Sequence, residues 1–380
     1  MLFNFAAATA PVIQGYVAIS GNDNSNTKLY IYPWLRESGF GSLRYDLSYP
    51  YVNYIYETGV AFNNAKTALA FVTKDLVEVW EWDNINGVLG SQFSAPATAP
   101  TGYLRNVTFS PSDDVLFIGS YDSPYIHAYE WNNSSGFGAK YSNPSTLPTG
   151  GSALQVHPSG NAVIVSSETQ GSISSPRIYV YPWNYSTGFG TIMTNPTYPN
   201  NFYQIWGTYF TPSGDTLLTL GEDYLSSYSN RAIEFDSNGS GFVSPSPDTL
   251  IYTNEATDAV AGSNNVVFIG KNSSSASSTY AMYAYPYTEN NFTLSSPYSD
   301  AVNMPKNYGA GSNSFFISGM AISEDNSVLL FTSSTTNLTS AGVYGFDFND
   351  ITGWGQKYNS PTELINSSVI RSAHSISITF

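Results

Sequence analysis

One pattern recurs along this chain and limits what it can fold into. Residues 30–41 (YIYPWLRESGFG), 79–90 (VWEWDNINGVLG), 127–138 (HAYEWNNSSGFG) and 179–190 (YVYPWNYSTGFG) each run alternating apolar residues into an aromatic-X-Trp, then four residues, then Gly. Trp34, Trp82, Trp131 and Trp183 precede Gly39, Gly87, Gly136 and Gly188 by five positions every time. Residues 346–355 (FDFNDITGWG) repeat it with Phe348 for Trp, followed by Gly353. Two weaker copies, 232–242 and 283–292, align with Ser237 and Tyr287 in the Trp place, with loops one residue shorter and, in the latter, Asn291 in place of the Gly that follows the anchor. Asn is the usual substitute for Gly at positive φ. The anchors fall at 34, 82, 131, 183, 237, 287 and 348, so seven units use up the 380-residue chain. A fixed period of this size marks a repeat architecture.

Each unit keeps one internal order. A polar, Pro-containing stretch (141–148, YSNPSTLP) leads to a short strand and a tight turn (207–215, GTYFTPSGD), then a strongly apolar strand (115–120, VLFIGS), then the aromatic strand with its Trp. Pro presets φ in such turns and Gly supplies positive φ. No stretch sustains a helical period. Four short strands per unit, seven times over, predict an all-β chain: a single domain over 1–380 forming a seven-bladed β-propeller of four-stranded antiparallel blades. Residues 177–183 (RIYVYPW) are apolar on both alternations, as expected of strands covered on both faces by neighbouring blades. The repeat aromatics therefore read as blade packing. In the GFG loop, the first Gly turns the chain, the aromatic enters the seam between blades, and the second Gly permits close backbone approach. The loop opens no helix, so it fails as a dinucleotide motif.

The ends complete one another. Residues 372–380 (SAHSISITF) match the first strand of a unit but lack the apolar strand that should follow, and residues 15–21 (GYVAISG) supply it. One blade is thus expected to combine both termini, with 372–380 as the innermost, closing strand and 1–14 as an extended N-terminal segment. The start, MLFNFAAATA, lacks a basic region and a long apolar run and reads as ordinary chain rather than a signal peptide. No run of 18 apolar residues predicts a membrane span.

Composition narrows function by exclusion. Thirteen Lys and Arg against 28 Asp and Glu give a net charge of −15, the wrong sign for nucleic acid. With no Cys, disulfides and thiolate metal sites are excluded. His127, His157 and His374 fall in different units without metal spacing and read as structural. Asp113, Asp114, Glu130, Glu222 and Asp223 lie on turns and strand ends and form no recurring catalytic set. GNDNSN (21–26) and SEDNS (323–327) lack the carboxylate pattern of a calcium loop and read as hairpins. Neither a metal nor a cofactor is expected. Two loops exceed the repeat length, 221–230 and 295–316, and their aromatics Tyr224, Tyr228, Tyr298 and Tyr308 are the candidate ligand-binding residues.

The Trp-x4-GFG units, with their YSNPSTLPTG and FTPSGD segments, resemble the WD-repeat-like propellers encoded by bacteriophages. That resemblance implies a non-enzymatic, virion-associated protein of the tail or capsid surface. Such a protein is made in the host cytoplasm and works by adhesion to host glycans or by assembly with other virion proteins. Two alternatives stand beside it: an intracellular protein-interaction scaffold, and a propeller hydrolase or lactonase with a metal in the central channel.

Overall fold

A computed structural model describes residues 12–22, 26–50, 58–151, 153–167, 178–193, 202–223, 228–236, 241–242, 249–253, 260–262, 265–270, 279–280, 282–288, 293–301, 303–307, 315–335, 342–361 and 372–380. Strands and turns account for these residues, and none of them is helical. Seven antiparallel sheets of the expected depth follow one another along the chain. Blade three shows the plan: Leu104–Phe109 innermost, then Val115–Ser120, Ile126–Asn132 and Gly136–Lys140. The second strands Ala68–Thr73, Val115–Ser120, Ala162–Ser166 and Val266–Gly270 are buried at every position. This follows from stacking, because a strand inside one sheet with a sheet on either face has no solvent side, and both alternations must be apolar.

The innermost strands form a ring. Ser372–Ile378, Thr58–Phe62, Leu104–Phe109, Leu154–Val156, Phe202–Phe210, Val260–Gly262 and Phe315–Ile322 each lie against the next, and the last meets the first. Blade one is built from both termini as the sequence suggests: Ser372–Ile378 pairs antiparallel with Ile13–Asn22, matching Val17 to Ile378 and Ile19 to Ile376. The first strand begins at Ile13, slightly inside the segment 1–14 expected to be extended. Beyond the strand, the Tyr16 amide donates to Thr379 Oγ1 (2.9 Å), and the Phe380 ring stacks on Trp34 at 5.2 Å and 9°.

The repeat glycines sit where a side chain has no room. Gly39, Gly87, Gly136, Gly188 and Gly353 have φ between +62° and +81°. Over four of them lies an aromatic that follows the outer strand of the preceding blade: Tyr358 on Gly39, Phe93 on Gly136, Tyr141 on Gly188 and Tyr298 on Gly353. The seam is thus filled from the neighbouring blade. The hairpin aromatics Phe40, Phe137 and Phe189 instead pack edge-on against the Trp of their own blade, at 5.1, 5.3 and 4.9 Å. The second Gly of the motif accommodates a cross-strand side chain rather than backbone: Pro33 at Gly41, Glu130 at Gly138, Asp347 at Gly355.

Two anchors move. In blade five Phe235, not Ser237, pairs with Phe242 as Trp34 pairs with Phe40, and Phe235 is buried. In blade six Tyr287 holds its place, but Thr288 pairs with Thr293, so the connection is longer than assumed, and Asn291 lies outside the described residues. Equal loop length is the assumption that fails: the hairpin register, not the count to the next Gly, fixes the anchor. With Phe235 as anchor, the spacings become 48, 49, 52, 52, 52 and 61.

A buried polar residue ends the innermost strand in six blades: Asn63, Ser110, His157, Thr211, Ser323 and Thr379. It caps the turn that follows, as when Ser110 Oγ accepts from the Asp114 and Val115 amides (3.1 and 3.0 Å). Asp113 locks blade three to blade two at this end. Its carboxylate accepts from the Asn64 amide (2.8 Å), the Ala65 amide (2.6 Å) and Asn63 Nδ2 (3.0 Å).

Candidate functional site

The turn ends of the ring are structural; the opposite ends of the innermost strands are not regular. In four blades the register between innermost and second strand slips by one residue. The slip follows Ser20–Ser375 in blade one and leaves His374 extra. It follows Gly119–Asn106 in blade three and leaves Arg105. It follows Leu220–Gly207 in blade five and leaves Trp206. It follows Thr332–Gly319 in blade seven and leaves Ser318. Each slip comes after the fourth paired residue of the second strand, counted from Val17, Leu116, Leu217 and Leu329, so all four bulges stand at one level of the ring. A bulge re-aims a side chain, bends the strand, and is over-represented beside active sites. Blades one, three, five and seven therefore carry positions 374, 105, 206 and 318 at one level of the ring of innermost strands.

At this end of blades two and three the side chains are described. The Arg105 guanidinium lies 4.5 Å from the Tyr121 ring centroid, and the Lys74 ammonium 4.3 Å from that of Tyr103. Backbone bonds tie these residues together: the Leu104 amide donates to the Lys74 carbonyl (3.0 Å) and the Tyr121 amide to the Tyr103 carbonyl (2.7 Å). The Tyr103 amide also donates to Asp122 Oδ2 (3.3 Å).

His127 supports this segment from below. It is fully buried, and Nε2 donates to the Thr101 carbonyl at 2.9 Å. Burial brings its pKa down from 6.5 to about 4; the bond to Thr101 opposes the shift and the Lys140 charge adds to it. The folded protein therefore binds fewer protons here than the unfolded chain. Stability from this group is full above pH 6.5 and falls as pH drops toward 4. The expected loss between pH 7.5 and 4.5 is roughly 2–3 kcal/mol. Urea unfolding at both pH values should show a fall smaller by that amount in His127→Gln; an equal fall in both proteins would contradict this role. His157 is also structural: buried, bonded through Nε2 to the Gly214 carbonyl (3.2 Å) and packed on Phe210.

Of the four loop tyrosines, Tyr298 is described with its side chain. Tyr298 belongs to the seam, edge-on to Phe348 at 5.3 Å with its hydroxyl donating to the Asp350 carbonyl. Tyr228 opens the strand Tyr228–Asp236 opposite Glu222, while Tyr224 and Tyr308 lie outside the described residues. The segments around them are less loop-like than their length suggests. Thr216–Asp223 and Tyr228–Asp236 consume most of 221–230. Within 295–316, Ala301 and Met304 enter the core between blades six and seven. The carboxylates are likewise engaged: Asp114 accepts from Ser110 and Ser112 Oγ (2.7 and 2.6 Å), and Glu130 accepts from the Ala139 amide (3.1 Å). Among the described residues no three His, Asp or Glu groups converge on a point that could hold a metal, so they supply no donor set for a channel metal. Sequence reasoning passed over Arg105, Lys74 and Tyr121, because no residue type or spacing marks them.

No family model and no curated protein matches the sequence. Solved structures match it over nearly its full length. A Bacteroides uniformis protein provisionally assigned as a 6-phosphogluconolactonase is 11% identical with a TM-score of 0.62, the match covering 96% of this chain and 99% of that one. The periplasmic gluconolactonase of Pseudomonas aeruginosa is 12% identical with a TM-score of 0.61, again over 96% and 99%. A Bacteroides fragilis protein, also provisionally a 6-phosphogluconolactonase, is 12% identical at a TM-score of 0.60 over 96% and 98%. At such identities the likeness establishes the fold: the chain is a β-propeller closed by its own termini. It overturns the resemblance to phage-encoded propellers. These three proteins, matched over nearly their whole length, are bacterial, one of them periplasmic, and they carry lactonase names. The tail, capsid and adhesion roles, the virion localisation and the expectation of a non-enzymatic protein rested on the phage resemblance and fall with it.

Proposed function

We propose that the protein is a hydrolase of sugar-acid lactones, with its reaction centre at the channel entrance. The observation that carries this reading is the set of four bulges at one level of the ring, at positions 374, 105, 206 and 318. The lactonase names of full-length structural neighbours support it.

Lactone hydrolysis needs three things. Water attacks the carbonyl carbon, the bond from that carbon to the ring oxygen breaks, and a proton passes from the water to the departing alkoxide. A His, the residue type best suited to take and return that proton, stands at bulge position 374. Arg105 is suited to stabilise the oxyanion that forms on the carbonyl oxygen.

The test is pH-stat titration of the full chain with glucono-δ-lactone and related aldonolactones, corrected for spontaneous opening. Acceleration is expected, with His374→Asn lowering kcat by about 10²-fold or more. Absence of acceleration on every δ- and γ-aldonolactone would overturn the proposal.

A further inference from the structure

Exposed apolar side chains gather at the hairpin end of the ring, away from the bulges. Among the described residues Val12, Ile13, Ile85, Val88, Tyr185 and Ile351 stand there in contact with solvent. All but Tyr185 belong to blades seven, one and two, which are consecutive around the ring. Ile85 and Ile351, at the hairpin tips of blades two and seven, are 91% and 84% exposed.

The hairpin itself does not call for Ile at this place. In four blades the amide two residues after an Asp or Asn donates to its side-chain oxygen at 2.9 Å: Ile85 to Asp83, Ser134 to Asn132, Ser186 to Asn184 and Ile351 to Asn349. Blades three and four fill the position with Ser, an ordinary turn residue. Blades two and seven fill the same turn with a branched apolar side chain left in water. The Asp83 and Asn349 oxygens each accept a second amide, from Asn86 and Thr352 (both 3.0 Å), so both tips are fixed in advance. Side chains presented on fixed turns lose little entropy on association.

The hairpin of blade one stands between these two and is tied to both neighbours. Arg44, just after it, donates to the Gly87 and Asn86 carbonyls of blade two (2.8 and 2.6 Å). Asn359, just after the outer strand of blade seven, forms a bridge with Gly39. At the blade-one tip Arg36 and Glu37 are exposed, and among the described residues neither belongs to an ion pair. The corresponding residues of blades three and four, Asn133 with Ser134 and Tyr185 with Ser186, are uncharged. A cation next to an anion is self-complementary about a two-fold axis, because each meets the other's counterpart across it. That pattern fits a second copy of the chain. Anionic lipid is a poor partner for a chain of net charge −15.

We propose that the hairpin end of blades seven, one and two is the interface of an isologous homodimer. Ile85 and Ile351 are buried in it, and Arg36 pairs with Glu37 of the partner subunit. The interface lies at the end of the ring opposite the bulges, so it is independent of the lactone reading and leaves the bulged end open in both copies.

Sedimentation velocity of the full chain over a micromolar concentration series tests this. The native protein is expected to form a dimer. Ile85→Ser with Ile351→Ser, which installs the residue that blades three and four carry, should raise the dissociation constant roughly 100-fold or more. The thermal unfolding curve measured on dilute monomer should not move, because both side chains are exposed in one copy. Arg36→Glu and Glu37→Arg should each weaken self-association, whereas an equimolar mixture of the two variants should dimerise, since each then meets its opposite charge across the axis. A native protein that stays monomeric throughout would overturn the proposal, as would a dimer indifferent to the Ser substitutions or charge variants that do not associate on mixing. A monomer that binds phosphatidylcholine vesicles through the two isoleucines would overturn it in favour of a lipid surface.

Discussion

A chain lacking residues 372–380 is expected to lose its cooperative thermal transition and to aggregate on expression. The deleted strand supplies the inner position of blade one along Val17 to Asn22 and lies against the innermost strands of blades two and seven. Its loss exposes the edge of Ile13–Asn22 and strips Ile376 and Phe380 from the cluster around Trp34. It also leaves the Tyr16 amide without Thr379 and the Phe62 amide without Ser377, whose Oγ accepts at 3.1 Å. A ring cut open exposes two blade faces at once, and the apolar area released outweighs the ~5–15 kcal/mol by which whole domains are stable. The Lys66–Glu324 ion pair (3.0 Å), which bridges blades two and seven, cannot compensate, because exposed pairs contribute at most about 1 kcal/mol. A synthetic nonapeptide SAHSISITF added during refolding should restore part of the transition, since an added strand recovers main-chain hydrogen bonds. Circular dichroism melts of the full and shortened chains check this; an unchanged melting temperature in the shortened chain would contradict closure by the terminal strand.

Trp34→Ala carries the next largest expected loss, about 3–5 kcal/mol, the range for emptying a buried Trp site. Trp34 is fully buried and meets three rings from three sources: Phe40 of its own hairpin (5.1 Å), Tyr358 of blade seven (4.8 Å) and Phe380 at the chain end (5.2 Å). The indole Nε1 of Trp34 has no hydrogen-bond partner among the described residues, so Trp34→Phe should lose mainly volume. Trp131 differs, because its Nε1 donates to Asn133 Oδ1 (2.8 Å), which also accepts from Asn63 Nδ2 (3.0 Å). Trp131→Phe should therefore cost about 1 kcal/mol more than Trp34→Phe. Urea unfolding of the three variants ranks them. Equal losses for the two Phe variants would show that the indole bond contributes nothing.

The architecture was legible because the repeat states the same physics seven times. Alternating apolar strands covered on both faces, Gly at a positive-φ hairpin position and an aromatic beside it need no tertiary information beyond stacking. The clasp was legible for the same reason, since 372–380 and 15–21 are the two halves of one unit. Ser237 was misplaced because hairpin lengths vary between blades, and only the pairing of Phe235 with Phe242 reveals which residue faces the seam. Tyr298 looked like a loop aromatic, although Phe93, Tyr141 and Tyr358 hold the corresponding place in other blades. The candidate site was not legible, because a bulge is a fact of register. Nothing in the residue types of LRN, QIWG or ISGM marks Arg105, Trp206 or Ser318 as the extra residue. The phage resemblance rested on turn and hairpin segments, which propeller closure demands whatever the protein does.

The most direct measurement is a crystal structure of the full chain with an aldonate product such as 6-phosphogluconate. The account predicts the ligand at the bulged end of the innermost strands, with its carboxylate beside Arg105. A ligand bound on the hairpin end of the ring or on the outer strands, with the bulged residues untouched, would contradict it.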